Sequence, residues 1–121
     1  LEEGLEMLIN VEQIIGLYCI TLEDGQKIYD LIHPKLHAGE SVKLDFTGVK
    51  IFASPFMNAA IGQLLGDIAD KTLERLLEVE NMTAVGTSLL RMVINNAQEY
   101  YSNQDLRNAV DEVLDAASED I

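Results

Sequence analysis

The stretch "SVKLDFTGVKIFASPFMNAAIGQLL", residues 41–65, decides the fold. Val42, Leu44 and Phe46 alternate with Lys43 and Asp45. A period of two is that of a strand with one buried face. Thr47-Gly48 is a turn, and "VKIF" (49–52) is a short extended stretch. Ser54 before Pro55 reads as a helix N-cap followed by proline at the first helical position. The helix is expected to run to Asp70, with Met57, Ile61, Leu64, Leu65 and Ile68 as its apolar stripe. Ala59, Gly62, Gly66 and Ala69 form a second stripe of small residues. Two glycines inside a helix cost roughly 1 kcal/mol each relative to alanine. Two readings offset that cost: close packing on the domain's own sheet, or close approach by a partner.

Toward the N-terminus, "LEMLINVEQII" (5–15) places Met7, Ile9 and Val11 on one side of an extended chain, with a bend at Gly16 before "GLYCI". Thr21 precedes Asp24 by three residues, a weak capping box. Ile28, Leu31 and Ile32 then repeat at helical spacing. Pro34 is expected to kink or end that helix, and Gly39 to close the segment. Toward the C-terminus, Leu76 to Glu80 reads as a strand. A helix over 87–101 follows, with Leu89, Leu90, Val93, Ala97 and Tyr100 on one side. A last helix is expected over 105–117, aligning Leu106, Val110, Val113 and Leu114. The alternation of strands and helices predicts an α/β domain: a mixed central sheet of about four strands, helices mainly on one face.

The 121 residues suit a single domain over 1–121, and 48% hydrophobic residues suffice for a core. Eight Lys and Arg against 21 Asp and Glu leave a charge of −13, and the cations form no run. Nucleic-acid and anionic-lipid binding need clustered cations, so neither is expected. A basic or amphipathic protein partner fits better. The one cysteine, Cys19, excludes an intramolecular disulfide and reads as a buried apolar residue. No apolar run approaches the roughly 20 residues of a membrane helix. No leader pattern is visible. A cytoplasmic location is the expectation.

Catalytic constellations are scarce. His33 and His37 are four apart, but Pro34 lies between them and no third ligand is near in sequence, so no metal is expected. No dinucleotide fingerprint or P-loop is present, and no cofactor is expected. Ser54, His33 and Asp45 make a conceivable triad, yet no elbow motif surrounds the serine. Asp45 has two readings. Beside Thr47-Gly48 it accepts loop hydrogen bonds; at the carboxyl end of a central strand it also lines the edge where open α/β sheets place ligands.

"VKLDFTGV", a short strand and then "SPFMNAAIGQLL" resemble the STAS domains of sulphate transporters and anti-sigma-factor antagonists. Their pattern is an aliphatic strand ending in Asp-hydrophobe-x-Gly-Val, then Asp-Ser-Ser-Gly-Leu opening a helix. The chain resembles more closely the STAS-like family of unknown function, whose helix opens with Ser-Phe-Leu-Asn-Glu-Ala. The resemblance spans residues 15–101, including "LEDGQKIYDLI" and "LLRMVINNAQEYY", and leaves 105–117 as an extra helix.

The resemblance implies a small α/β domain without catalytic activity. In antagonist STAS domains a serine at the helix start is phosphorylated by a partner, a GHKL-type ATPase acting as anti-sigma factor, and phosphorylation releases that partner. Here Ser54 matches the first serine of the pattern, and the phosphorylated second falls on Pro55. Ala53 replaces the acid, Phe56 the glycine, and Ala59 the glutamate after Asn58. Ser54 is thus first a helix cap, with a phosphoacceptor role open.

The reading is a non-enzymatic STAS-like interaction module in bacterial or phage regulation, with a GHKL-type ATPase or anti-sigma-like protein as the partner implied. Its expected contacts are Ser54, an exposed Phe56-Met57 anchor, and Asn58. The same Phe56 and Met57 have a core reading. The alternative function is a small-molecule or nucleotide sensor using the face near Asp45, Thr47 and Ser54.

Overall fold

The computed structural model describes residues 6–103. The expected 105–117 helix lies outside them. The first strand, β1 (Met7–Asn10), is shorter than its alternation suggests. Asn10 accepts the Gln13 amide at 3.2 Å and caps a short helix, α1 (Val11–Ile15), which ends at Gly16 with φ 107°. The chain becomes extended again in β2 (Tyr18–Cys19). Thr21 then caps α2 (Leu22–His37), accepting the Asp24 amide at 3.1 Å as expected.

Pro34 does not end α2, which runs on to His37. An interior proline removes one helical hydrogen bond and costs about 3 kcal/mol. Ile28, Ile32 and Leu36, all buried at four-residue spacing, hold the helix against the core on both sides of it. Gly39, at φ 87°, makes the exit turn into β3 (Val42–Asp45).

Strand β3 is interior, between β1 and β5 (Leu77–Glu80), as its pattern indicates. Two features of the expected sheet are corrected. Among the described residues all pairings are parallel, and the strands form two small sheets, β1-β3-β5 and β2-β4, rather than one mixed sheet of about four. The cause lies in two interruptions. Helix α1 separates β1 from β2, and the turn closed by the Val49 amide on Phe46 O (3.0 Å) separates β3 from β4 (Ile51–Phe52).

One face of the larger sheet is apolar, with Ile9, Val42 and Leu44 buried. The other carries the register row Leu8, Lys43 and Glu78, and Leu8 is 67% exposed. Lys43 Nζ lies 3.9 Å from both Glu78 and Glu80 carboxylates. Helices therefore cover one face, and the core continues through Phe46, Phe56, Met57, Leu64 and Val93.

The expected 55–70 helix is broken in two, and a further helix starts where it was to end. Helix α3 is Ser54–Ala60, a 3-10 turn follows at Gly62–Gly66, and α4 (Asp70–Leu76) runs directly into β5. The break falls at the glycines because α5 (Ala84–Ser102) crosses there. A Cβ on Gly62 would meet Val93 Cγ1 at 3.3 Å, and one on Gly66 would meet the Tyr101 ring at 3.3 Å. Ala59 instead faces α2, 2.8 Å from where a Gly25 Cβ would stand. Ala59, Gly62 and Gly66 thus serve contacts within the domain, on two different neighbours, while Ala69 is exposed. Helix α5 starts earlier than expected, with Thr83 accepting the Gly86 amide at 3.0 Å. Its inward tyrosine is Tyr101, while Tyr100 is 46% exposed. Among the described residues no helix is long and apolar enough to cross a membrane.

Candidate functional site

Strand β4 leads straight into α3. The Ala53 amide donates to Cys19 O at 3.0 Å, which keeps Ala53 extended (φ −133°, ψ 155°) and makes it the N-cap. Ser54 is already the first helical residue, with Pro55 second, and no side chain caps this helix. The expected Ser54 cap is corrected for that reason: strand pairing reaches one residue further than the sequence suggests. Ser54→Ala is accordingly expected to shift stability by no more than about 0.5 kcal/mol, against about 1 kcal/mol for a true cap. Urea midpoints measure the difference.

The exposed Phe56-Met57 anchor is also corrected. Both side chains are fully buried, because the first turn of α3 points them into the core between α2 and the sheets. Asn58 is exposed, one turn along from the half-buried Ser54. Of the four expected contact residues, those two stay at the surface.

Asp45 and Thr47 form a clip at the carboxyl end of the larger sheet. Asp45 Oδ1 accepts the Thr47 amide (2.9 Å), the Thr47 hydroxyl (2.6 Å) and the Asn81 amide group (2.9 Å). Asn81 sits just past β5 at φ 63°, a left-handed conformation that asparagine tolerates. The clip ties the exits of β3 and β5 together. The hydrogen bonds from the Thr47 hydroxyl, then Asn81, then the Thr47 amide hold the Asp45 carboxyl below its ordinary 3.8. A depressed acid contributes stability above its unfolded pKa, and loses it as pH falls through the folded one. Asp45→Asn is expected to lower stability at neutral pH and to flatten the acid limb below pH 3.8. Unfolding midpoints from neutral pH down to pH 2, in about half-unit steps, check this.

Ser54 makes no hydrogen bond to Asp45 or Thr47 among the described residues. The conceivable triad is not hydrogen-bonded: His33 Nε2 lies 2.9 Å from Asp67, and Asp45 is bonded to Thr47 and Asn81. Sequence spacing missed this His33–Asp67 pair, since its partners come from α2 and the turn before α4. Tyr29 stacks on His33 at 4.9 Å, and His37 stands 3.9 Å from the same Asp67. Among the described residues no group of three or more His, Cys, Asp or Glu is arranged to hold a metal ion. Burial, then the Asp24 charge, pushes the Cys19 thiol up to about 12, which suits an inert core residue. An open hollow of about 770 Å³ lies between the 3-10 turn, α4 and α5, where lining residues Gln98 and Asp70 bond each other at 2.8 Å.

Helices on one face of the sheet, an aspartate ending the central strand and a helix opening after β4 match what the resemblance to a STAS-like domain implies, while the parallel pairing departs from it. The family described as "STAS-like domain of unknown function (DUF4325)" matches residues 24–87, more than half of the chain, and the chain belongs to it. The matched span carries Gly25, Asp45, Thr47, Ser54 and Asn58, and it excludes β1 and β2. No curated protein and no solved structure matches the chain.

Proposed function

We propose that this domain is a non-catalytic protein-interaction module in bacterial or phage regulation, docking its partner beside the start of α3. One observation carries the reading. Tyr18 and Ile51 are register partners in the smaller sheet, and they stand 52% and 48% exposed. Paired apolar side chains left in water mark a contact surface when they lie together. The chain passes from Ile51 through Ala53 to Ser54 and Asn58, so apolar and polar contact groups adjoin. The family likeness suggests a GHKL-type ATPase or anti-sigma-like protein as partner, and Ser54 as the position where a phosphate would act. Phosphate there adds charge to an acidic surface without a capping bond to break.

A photo-crosslinking residue at position 54, 58 or 74 tests the reading in cells. Glu74 is exposed on α4, a different element from β4 and α3. One protein adduct from positions 54 and 58, with none from 74, is the expected result. Equal adducts at all three positions, or none at 54 and 58, reject the module.

A further inference from the structure

Exposed large apolar side chains are unevenly spread among the described residues. Six of the eleven, Leu8, Ile14, Leu17, Tyr18, Ile20 and Leu22, fall between residues 8 and 22. They run in sequence from β1 through α1 and β2 to the first residue of α2. Strand β2 pairs on one side only among the described residues, with β4. Lys50 donates to Leu17 O at 2.8 Å, and Ala53 to Cys19 O at 3.0 Å. Strand alternation therefore turns the amides and carbonyls of Tyr18 and Ile20 toward the outer edge.

Open edges in proteins are shielded by lysine, proline or bulges. Residues 6–24 contain no Lys, Arg or Pro. Their only charges are Glu6, Glu12, Glu23 and Asp24, in a chain of net charge −13. Among the described residues the edge thus offers unpaired backbone groups, alternate apolar side chains and acidic neighbours, of which Asp24 is paired with Lys27 at 3.3 Å. Self-pairing is disfavoured by the same residues. A two-fold contact through β2 would bring together two edges whose charges among residues 6–24 are all acidic.

We propose that the outer edge of β2 receives an extended segment of a partner protein as an added strand. That segment carries apolar residues at alternate positions and Lys or Arg at both ends. Main-chain bonds to Tyr18 and Ile20 would supply affinity, the apolar row register, and the acidic ends charge matching. The proposal rests on the interaction-module reading and names the chemistry of its partner.

The probe is the peptide Lys-Arg-Val-Thr-Val-Thr-Val-Arg-Lys, added at millimolar concentration to the full chain. Amide hydrogen exchange at Tyr18 and Ile20 is expected to slow about tenfold or more, with Asn58 unchanged. Replacing the four basic residues by glutamate, or N-methylating alternate residues of the peptide, is expected to remove that protection. Tyr18→Lys and Ile20→Lys are expected to keep the parent thermal midpoint and lose binding. No protection at Tyr18 and Ile20, or equal protection by the acidic-ended peptide, overturns the proposal. So does a dimer that Tyr18→Lys dissolves, since the edge then serves a second copy. A partner crosslinked from positions 54 and 58 whose affinity survives Tyr18→Lys overturns the added strand and leaves the module standing. Loss of those crosslinks in the parent protein is the separate failure of the module.

Discussion

Gly25→Ala is expected to lower the unfolding free energy by several kcal/mol, although alanine is the better helix former. Gly25 is buried in the second turn's approach to α3. A methyl there would overlap the Phe56 carbonyl oxygen and stand 2.8 Å from Ala59 Cβ. Helix propensity favours the change by about 1 kcal/mol. Overpacking of a tight site opposes it by about 1–3 kcal/mol, and by more when the obstacle is backbone. A carbonyl oxygen has no rotamer to move to, so the helices must part. Separating α2 from α3 would also disturb Phe56, which gives the penalty its upper range. Urea denaturation of the purified chain measures it. A midpoint that rises by the propensity gain would mean that α2 and α3 do not cross as described.

Phe56→Ala is expected to cost about 3–5 kcal/mol, a large share of the roughly 5–15 kcal/mol that holds a domain together. Phe56 is among the largest fully buried side chains. Truncation removes its contacts and leaves a cavity that α2, pinned at Gly25, cannot collapse to fill. A surface anchor would behave in the opposite way, losing partner affinity with stability nearly constant. Thermal and urea midpoints of Phe56→Ala, set beside those of Ser54→Ala, separate the two cases. A Phe56→Ala protein as stable as the parent would return Phe56 to the surface.

Local signals in the sequence proved readable where one residue type settled the matter. Thr21 caps α2, the alternation of Val42 and Leu44 marks an interior strand, and the glycines mark tight contacts. The site was harder to read because its key facts are tertiary. Ser54-Pro55 is a good capping sequence, yet the Ala53 bond to Cys19 moves the cap back by one residue. Phe56 and Met57 sit at a helix start, and only the approach of α2 decides that they face inward. Val11 fits a strand by its period, but Asn10 caps a helical turn there. Pro34 looks like a stop until the burial of Ile32 and Leu36 on either side is known. The Asp45 clip needed Asn81, which is distant in sequence, while its Thr47 half was legible from spacing alone.

The all-parallel pairing also governs when the domain can assemble. Parallel neighbours cannot be joined by a tight hairpin and need a crossover. Met7 to Val42 and Val42 to Leu77 each span 35 residues, so no strand of the larger sheet has a partner nearby in sequence. Closing such loops comes before the reward of pairing, which slows folding. During synthesis, β1 must wait for α2 and β3 to emerge, and β3 stays unpaired on one side until residue 80 has left the ribosome. Nascent chains halted after α3 would therefore carry a bare apolar strand edge along Val42 and Leu44, and chaperones would find them before the finished protein does.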